Sequence, residues 1–273
     1  IVSAISILPN LGVGGMQLFR LESSDTSEKI LPRAASIATE ITVLYIALSV
    51  ICGISYWLAG LSSFDSFVHA MSTIATGGFS SRSDSFGGFN NINLETIAII
   101  FMIISSLPFV LYLKAIRGKP SDIIKDQQVR GFFKTLFIAS IVVILYLIIF
   151  KDFVSFDAIR YSLFNVTSIL TGTGFVTAEY DMWGTPIILV FLFITFIGGC
   201  AGSTTCGIKI FRLQIIYYNS KETIGKLISP NRVINKKYNG EHISQEITQS
   251  VITFLFIFIV TFIILSALLS FTG

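Results

Sequence analysis

Two glycine-rich segments of the chain could bind an ion without an acidic side chain. Residues 72–80 read STIATGGFS, and residues 168–176, which begin 96 positions later, read SILTGTGFV. Glycine allows successive backbone carbonyls to turn toward one axis, because it adopts backbone angles that a Cβ atom disfavours. Peptide carbonyls that replace the hydration shell of an ion are the ligands of cation filters. Neither segment contains Asp or Glu, so a carboxylate ring for a divalent cation is disfavoured and coordination by peptide oxygens is predicted.

Each segment ends a short apolar stretch that lies between two longer ones. Residues 64–75 and 156–170 are too short to cross ~30 Å of hydrocarbon as helices, and such lengths are typical of re-entrant segments. The longer apolar stretches are residues 36–60, 94–113, 131–150, 184–208 and 248–270. Pro108 is expected only to kink the second of these. We therefore predict an all-α membrane protein with repeats of a helix, a re-entrant pore helix and a second helix.

Composition and charge place the chain in a membrane. Hydrophobic residues make up 53% and charged residues 13%, at a mean hydropathy of +0.78, which excludes an ordinary soluble domain. Of 19 Lys and Arg residues, the loops 20–33, 114–134 and 209–237 hold 3, 6 and 7. The positive-inside rule puts these loops in the cytoplasm, so both re-entrant segments open to the outside. Their C-terminal helix ends carry partial negative charge, which favours a cation at the membrane centre.

A third glycine-rich segment, GGCAGSTTCG at residues 198–207, interrupts the stretch 184–208. Four glycines in ten positions disfavour a continuous helix there. We interpret the segment as a loop at membrane depth that lines water. The alternative is a helix-packing surface of small residues. Lys209, just after the segment, either steadies the loop by its charge or snorkels to the interface.

Three motifs resemble those of one transporter superfamily. They are LPNLGVGGMQLFR at residues 8–20, ATGGFS at residues 75–80 and FIGGCAGST at residues 196–204. In this order they look like the TrkH branch of the Trk/Ktr/HKT superfamily of potassium transporters, along essentially the whole chain. The resemblance implies four helix, pore-helix, helix repeats around one pseudo-fourfold ion pore, with potassium uptake as the activity.

On this resemblance, the chain is expected to be a piece of a longer protein, which fits a sequence that starts at Ile1 without Met. The implied parts are the tail of the first repeat (1–34), the second repeat (35–118), the third repeat with a broken last helix (119–217), a cytoplasmic loop (218–247) and the first helix of the fourth repeat (248–273). Two of four filter segments are then expected outside this chain.

The resemblance also implies roles for individual residues. The implied ion filter consists of Thr76, Gly77, Gly78, Gly172, Thr173 and Gly174, with potassium bound by the backbone of Gly77, Gly78, Thr173 and Gly174. The implied gate loop contains Gly198, Gly199, Gly202, Ser203, Thr204 and Lys209. The loop departs from the family pattern at Thr205 and Cys206, where relatives often have further glycines.

The same resemblance implies a transporter rather than an enzyme, with potassium as the permeant ion and no cofactor. The expected partners are the lipid bilayer, a second copy in a homodimer and a cytoplasmic nucleotide-binding regulatory subunit, and nucleic acid is not among them. The expected location is the bacterial inner membrane, as a multi-pass protein.

Two other classes of function remain open from the residues alone. A secondary transporter with broken helices and a midplane substrate site would suit the interruption at residues 198–207, although such folds usually contain inverted repeats. An intramembrane serine hydrolase would use Ser203 as nucleophile and His69 as base, which requires the two within hydrogen-bond reach. For His69 a structural hydrogen bond is the favoured interpretation.

Several single residues carry narrower expectations. Phe79 and Phe175 are expected to pack behind the filter rather than touch ions. Glu40, near the inner end of a span, is expected to pair with Arg33 or Lys134 at the interface. The cysteines lie in apolar runs and are expected to be small buried residues; they are Cys52, Cys200 and Cys206.

Overall fold

The structure, a computed structural model, describes residues 30–229 and 237–271. Its helices follow the predicted alternation of long and short apolar segments. They are α1 (Ile30–Leu58), α2 (Ser63–Ile74), α3 (Ile92–Ser106), α4 (Phe109–Ile116), α5 (Ser121–Lys125), α6 (Gln127–Phe150), α7 (Ser155–Leu170), α8 (Thr185–Ile197), α9 (Ile210–Ile228) and α10 (Gln245–Phe271). The other regular elements of the described residues are 3-10 helices at Ser85–Phe89 and Tyr180–Trp183 and a ribbon of β1 (Lys237–Tyr238) and β2 (Glu241–His242). The motif at residues 8–20 lies outside the described residues.

Three helices within the described ranges are long and apolar enough to cross a membrane: α1 from Ile37 onward, α6 and α10. A fourth span is added if α3 and α4 count as one bent pair. The re-entrant candidates α2 and α7 have only 12 and 16 residues. α2 thus lies between two longer helices, whereas α7 lies between the 24-residue α6 and the 13-residue α8, because the last span of the third repeat ends at Ile197. The predicted all-α membrane fold class is confirmed.

The predicted span at 94–113 is divided into two helices, so the expectation of a mere kink was wrong. α3 ends at Ser106, α4 begins at Phe109, and the two helices are bent by 91°. Pro108 has no N–H for the helical ladder, and its ring disfavours the helical conformation for Leu107, which is extended with φ −91° and ψ 156°. The break leaves the last carbonyls of α3 without donors in their own helix.

Residues Thr39–Ile210 form one compact unit. It contains most of α1 and all of α2 through α8, and two groups of buried apolar side chains stabilise it. The first group surrounds α6, α7 and α8, and its least exposed members include Phe132, Leu147, Leu170 and Ile187. The second lies behind α2 and includes Tyr56, Phe86, Met102, Phe164 and Phe175. Because Phe164 and Phe175 belong to the third repeat, the second group joins the two repeats.

The second unit comprises residues 1–38 and 211–273, and its described part includes most of α9, the ribbon and α10. The predicted loop 218–247 begins as a helix here, since α9 continues to Ile228. Asn239 and Gly240 turn the ribbon with φ of 47° and 90°, which the Asn-Gly dipeptide of a type I′ hairpin favours. The hydroxyl of Tyr238 donates to Oε1 of Gln214 at 2.7 Å and ties the ribbon to α9.

Candidate ion filter and intramembrane loop

The short helices α2 and α7 end in the same backbone motif. In each, one N–H reaches back five residues and the preceding N–H reaches back three, which is the Schellman pattern of helix C-termini. The bonds are Gly77 N–H to Ser72 O (2.8 Å), Thr76 N–H to Thr73 O (3.1 Å), Thr173 N–H to Ser168 O (2.9 Å) and Gly172 N–H to Ile169 O (3.0 Å). The sequence repeat of 96 positions is therefore also a repeat of local backbone structure.

The Schellman motif needs a left-handed residue after the helix, and the two repeats supply it differently. The third repeat has Gly172 there, with φ 72°, whereas the second has Thr76, with φ 50°. A β-branched residue in this region is strained by about 1–2 kcal/mol. The hydroxyl of Thr76 partly offsets the strain, because it donates to Ala75 O (2.7 Å) and Thr204 O (3.2 Å).

The ends of the two short helices lie side by side. Gly78 and Gly174 are both left-handed, with φ of 70° and 85°. A Cβ atom placed on Gly78 would collide with the carbonyl oxygen of Thr173, and would lie 3.0 Å from the Thr173 carbonyl carbon and 3.3 Å from the carbonyl carbon of Gly174. We call residues 76–78 of the second repeat and 172–174 of the third the candidate filter segments. Only glycine at position 78 permits this close approach of one segment to the other.

The residues that follow each filter segment fix the two repeats to one another. Gly87 N–H donates to Val176 O at 2.9 Å, and Val176 N–H donates to the hydroxyl of Ser85 at 3.1 Å. Arg160 of α7 forms two bonds of 2.7 Å with the carboxylate of Glu95 of α3. Their side chains are 14% and 4% exposed, so this is a largely buried, bidentate ion pair between repeats.

The start of α2 is tied to the segment that follows its end. Ser62 Oγ accepts from Asp65 N–H (3.1 Å) and donates to Asp65 Oδ2 (2.9 Å), while Ser81 Oγ donates to Oδ1 (2.6 Å). Hydrogen bonds from Ser81, and then from Ser62, stabilise the carboxylate and lower the pKa of Asp65.

His69 and Asn165 occupy equivalent positions, 96 residues apart, and perform the same structural task. His69 Nδ1 donates to Asp65 O (2.8 Å), since a carbonyl can only accept, and Nε2 pairs with the hydroxyl of Ser80 (3.0 Å). Asn165 Nδ2 donates to the carbonyl of Tyr161 (2.8 Å) and to the hydroxyl of Thr177 (3.0 Å). Both side chains join a short helix to the irregular segment that follows its glycines, so the structural hydrogen bond expected for His69 is present.

Phe79 and Phe175 differ, although the sequence predicts the same packing for both. Phe175 is 1% exposed and lies with its ring 4.9 Å from that of Phe86, in the second repeat. Phe79 is 78% exposed, so its expected packing is wrong for the described residues. The third-repeat ring packs on the repeat before it, and the residues that precede the second repeat, 1–29, lie outside the described structure.

The predicted interruption at residues 198–207 is present, because α8 ends at Ile197 and α9 begins only at Ile210. We call residues 198–209 the intramembrane loop. Its two ends are joined by bonds from Ile208 N–H to Phe196 O (3.0 Å) and from Lys209 N–H to Ile197 O (2.8 Å). A Cβ on Gly198 would collide with the Cys206 carbonyl, so glycine is required where the two ends of the loop meet.

The intramembrane loop lies against both filter segments. Thr204 O accepts the bond from Thr76, and a Cβ placed on Gly172 would lie 2.6 Å from Cys206 Sγ. Cys206 is exposed, unlike the buried Cys52 and Cys200, so the expectation of burial was wrong for this cysteine.

The structure does not bring the hydrolase pair together. Ser203 Oγ donates to Cys200 O (2.6 Å) and pairs with the hydroxyl of Thr205 (2.7 Å). The ring nitrogens of His69 have the partners described above, Asp65 and Ser80. Nucleophile and base therefore make no hydrogen bond with one another, and the hydrolase alternative has no geometric support.

Glu40 forms an interfacial ion pair, and its described partner is not Lys134; the side chain of Arg33, the other expected partner, lies outside the described residues. Its two carboxylate oxygens accept bonds of 2.7 and 2.6 Å from Arg117, which follows α4. Arg117 was not among the partners expected from the sequence, because the pattern of a straight span does not show that α4 is bent by 91° from α3.

Fold and site together define a polytopic helical membrane protein in which the ends of two equivalent short helices converge. The family model of TrkH, described as cation transport proteins, matches residues 1–272, and the chain belongs to this family of membrane transport proteins. The predicted resemblance is thereby confirmed, as is the expectation of a transport protein rather than an enzyme.

Individual relatives agree with the family assignment. The chain is 38% identical over 245 residues to the Trk system potassium uptake protein TrkI of Halomonas elongata, covering 88% of this chain and 49% of that protein. It is 36% identical over 248 residues to the Trk system potassium uptake protein TrkH of Vibrio parahaemolyticus, covering 88% and 51%. The crystal structure of the potassium transporter TrkH from Vibrio parahaemolyticus superposes with a TM-score of 0.84 at 32% identity, covering 96% of this chain and 54% of that one. The chain thus spans about half the length of these relatives.

Proposed function

We propose that this chain forms part of the ion path of a potassium uptake protein in the bacterial inner membrane. Backbone carbonyls of Gly77, Gly78, Thr173 and Gly174 coordinate the dehydrated ion, and no cofactor takes part. The observation that carries the proposal is the approach of Gly78 to the Thr173 carbonyl at the ends of two equivalent short helices. The choice of potassium as the ion rests on the relatives, which are named Trk system potassium uptake proteins.

The electrostatics of the two helix ends favour a cation. α2 and α7 both direct their C-termini at the filter segments, and each helix end carries about half a negative charge. In the low dielectric of a membrane this partial charge acts more strongly than in water. A monovalent ion can then exchange water for peptide oxygens without the strong binding that a carboxylate ring would produce.

The intramembrane loop acts as the gate in this proposal. The bond between Thr76 and Thr204 and the approach of Cys206 to Gly172 support the role, because both lie directly at the filter ends. Glycine at 198, 199 and 202 lets the loop turn, and the hydroxyls of Ser203 and Thr204 provide polar groups for a watery path. Removal of residues 198–204 is expected to raise the flux, whereas unchanged flux would assign the loop to packing alone.

The complete protein is proposed to work as a homodimer in the lipid bilayer with a cytoplasmic nucleotide-binding subunit. The relatives are named as parts of a Trk system, which is compatible with such a partner. The charged stretch 221–241 is the proposed contact surface. Co-purification of the full-length protein with and without this segment tests the contact, and equal recovery of the partner would place it elsewhere.

Replacement of Gly78 by Asp tests the filter directly. The full-length protein is expressed in cells that lack other potassium uptake systems, and rubidium and sodium uptake are measured. We expect Gly78→Asp to abolish rubidium uptake or its preference over sodium. Gly118→Asp is the matched control, because Gly118 is also left-handed (φ 92°) but has no atom within 4 Å of an added Cβ. Intact selective uptake by Gly78→Asp would overturn the filter assignment.

A further inference from the structure

The intramembrane loop takes hydrogen bonds from the break between α3 and α4. Cys200 N–H donates to Ser106 O at 2.9 Å, and Thr204 donates to Ser105 O from its N–H (3.3 Å) and from its hydroxyl (3.2 Å). Ser105 and Ser106 are fully buried and carry the last two carbonyls of α3. Carbonyls at this position have no donor within their own helix, so the N–H and hydroxyl groups of the loop supply the missing donors.

The loop also satisfies the start of α4. Phe109 N–H, the first of that helix, donates to Gly202 O at 3.0 Å. Another carbonyl at the end of α3, that of Ile104, accepts from the hydroxyl of Tyr112 at 2.7 Å. Bonds thus run in both directions between loop and break. Because buried backbone groups are rarely left unpaired, these bonds fix the loop at this place.

One side chain also binds the intramembrane loop by a hydrogen bond. Gln128, in the first turn of α6, accepts a bond from Ala201 N–H at its Oε1 (2.8 Å). Gln128 is only 5% exposed, and its own N–H is capped by Asp126 at 2.8 Å. The amide oxygen is therefore held by a rigid helix start and meets the loop between its bonds to α3 and α4.

A continuous helix through the break would use the same backbone groups differently. In the i to i+4 ladder, Ser105 O would accept from Phe109 N–H and Ser106 O from Val110 N–H. Helix continuity and the observed loop bonds therefore exclude one another. Pro108 keeps the helix broken, because it lacks an N–H and disfavours the helical conformation for Leu107.

We infer that the α3–α4 break and the amide of Gln128 form a latch that holds the intramembrane loop against the filter ends, so that loss of either hold increases cation flux. The inference rests on the proposed function of the loop as a gate. Gln128 is a positioning residue, since it contacts the loop backbone and not the ion.

The test uses two variants of the full-length protein with one matched control each. Pro108→Ala allows α3 and α4 to join, and Pro120→Ala makes the same change in a loop turn. Gln128→Leu removes the acceptor for Ala201, and Gln249→Leu makes the same change at an exposed position of α10. We expect rubidium uptake, per amount of protein in the membrane, to rise about fivefold for Gln128→Leu, the factor for one lost hydrogen bond, and by at least that factor for Pro108→Ala, which disrupts several. The controls are expected within about twofold of wild type.

Reactivity of Cys206 reports the position of the loop independently of flux. Its thiol is exposed and lies against Gly172, while Cys52 and Cys200 are buried. In full-length protein with its other cysteines replaced, we expect a methanethiosulfonate reagent to modify Cys206 faster in both latch variants than in their controls. A purely structural defect would lower the protein amount and leave this pattern absent.

The outcomes separate the latch from the gate. Unchanged uptake and unchanged Cys206 reactivity in both variants, together with a higher flux after removal of residues 198–204, would overturn the latch and leave the gate. Faster modification of Cys206 with unchanged uptake in every variant would show that the α3–α4 break positions the loop, but would overturn the role of the loop as a gate. If Pro108→Ala does not reach the membrane, the result for Gln128→Leu decides.

Discussion

Replacement of Gly78 by Ala tests whether the close approach of the two filter segments controls ion binding. Gly78 has φ 70°, so alanine there costs about 1–2 kcal/mol from the backbone alone. The added Cβ would also collide with the Thr173 carbonyl oxygen and lie 3.0 Å from its carbon. Since non-bonded heavy atoms settle near ~3.5 Å, the Thr173 peptide has to move by on the order of 1 Å. A proposed ion ligand is then displaced.

The matched control is Gly60→Ala. Gly60 has φ 104°, and a Cβ there meets no atom within 4 Å, so this variant carries the backbone strain without the collision. We expect Gly78→Ala to lower rubidium uptake by about tenfold or more, which corresponds to ~1.4 kcal/mol, and Gly60→Ala to stay within about twofold of wild type. The assay is initial uptake by the full-length protein, per amount in the membrane. Equal rates for the two variants would refute the reasoning.

Three further predictions concern charged side chains. Glu95→Gln leaves Arg160 without its buried partner and is expected to lower the free energy of unfolding by ~3 kcal/mol, seen as a lower melting temperature in detergent; exchanging the two charges should restore part of it, and no recovery would contradict a direct pair. Glu40→Gln is expected to change stability by less than ~1 kcal/mol, because its pair with Arg117 is solvent-exposed, and a large loss of stability or uptake would contradict this. Because the pKa of Asp65 is lowered in the folded state, the protein should have a higher melting temperature than its Asp65→Asn variant at neutral pH, and this difference should disappear as the pH falls below ~4. A difference in melting temperature that does not depend on pH would count against a role of the carboxylate.

The repeat of 96 positions made the core of the site predictable from sequence. Apolar length separates the short helices α2 and α7 from the spans, and the glycines that follow mark where each chain turns. The structure adds that even the hydrogen bonds at Gly77 and Thr173 are equivalent. The same offset relates His69 to Asn165, so the second of these residues was within reach of the sequence and was missed.

Other features depend on partners that no local pattern specifies. Pro108 indicates an irregularity, but whether a helix kinks or breaks depends on what satisfies its freed backbone groups, and here the intramembrane loop does so. That bend then decides that Glu40 meets Arg117. The exposure of Phe79 has the same origin, because equivalent residues of a repeat have different neighbours. The Asn239-Gly240 dipeptide, in contrast, was a readable signal for the ribbon.

Rubidium diffraction tests the central claim most directly, that peptide carbonyls of the repeated segments coordinate a monovalent cation. Crystals of the full-length protein grown in rubidium, measured near its absorption edge, are expected to show an anomalous peak within ~3 Å of the carbonyl oxygens of Gly77, Gly78, Thr173 and Gly174. Well-ordered filter segments without such a peak, or a peak bound elsewhere by side chains, would contradict the account.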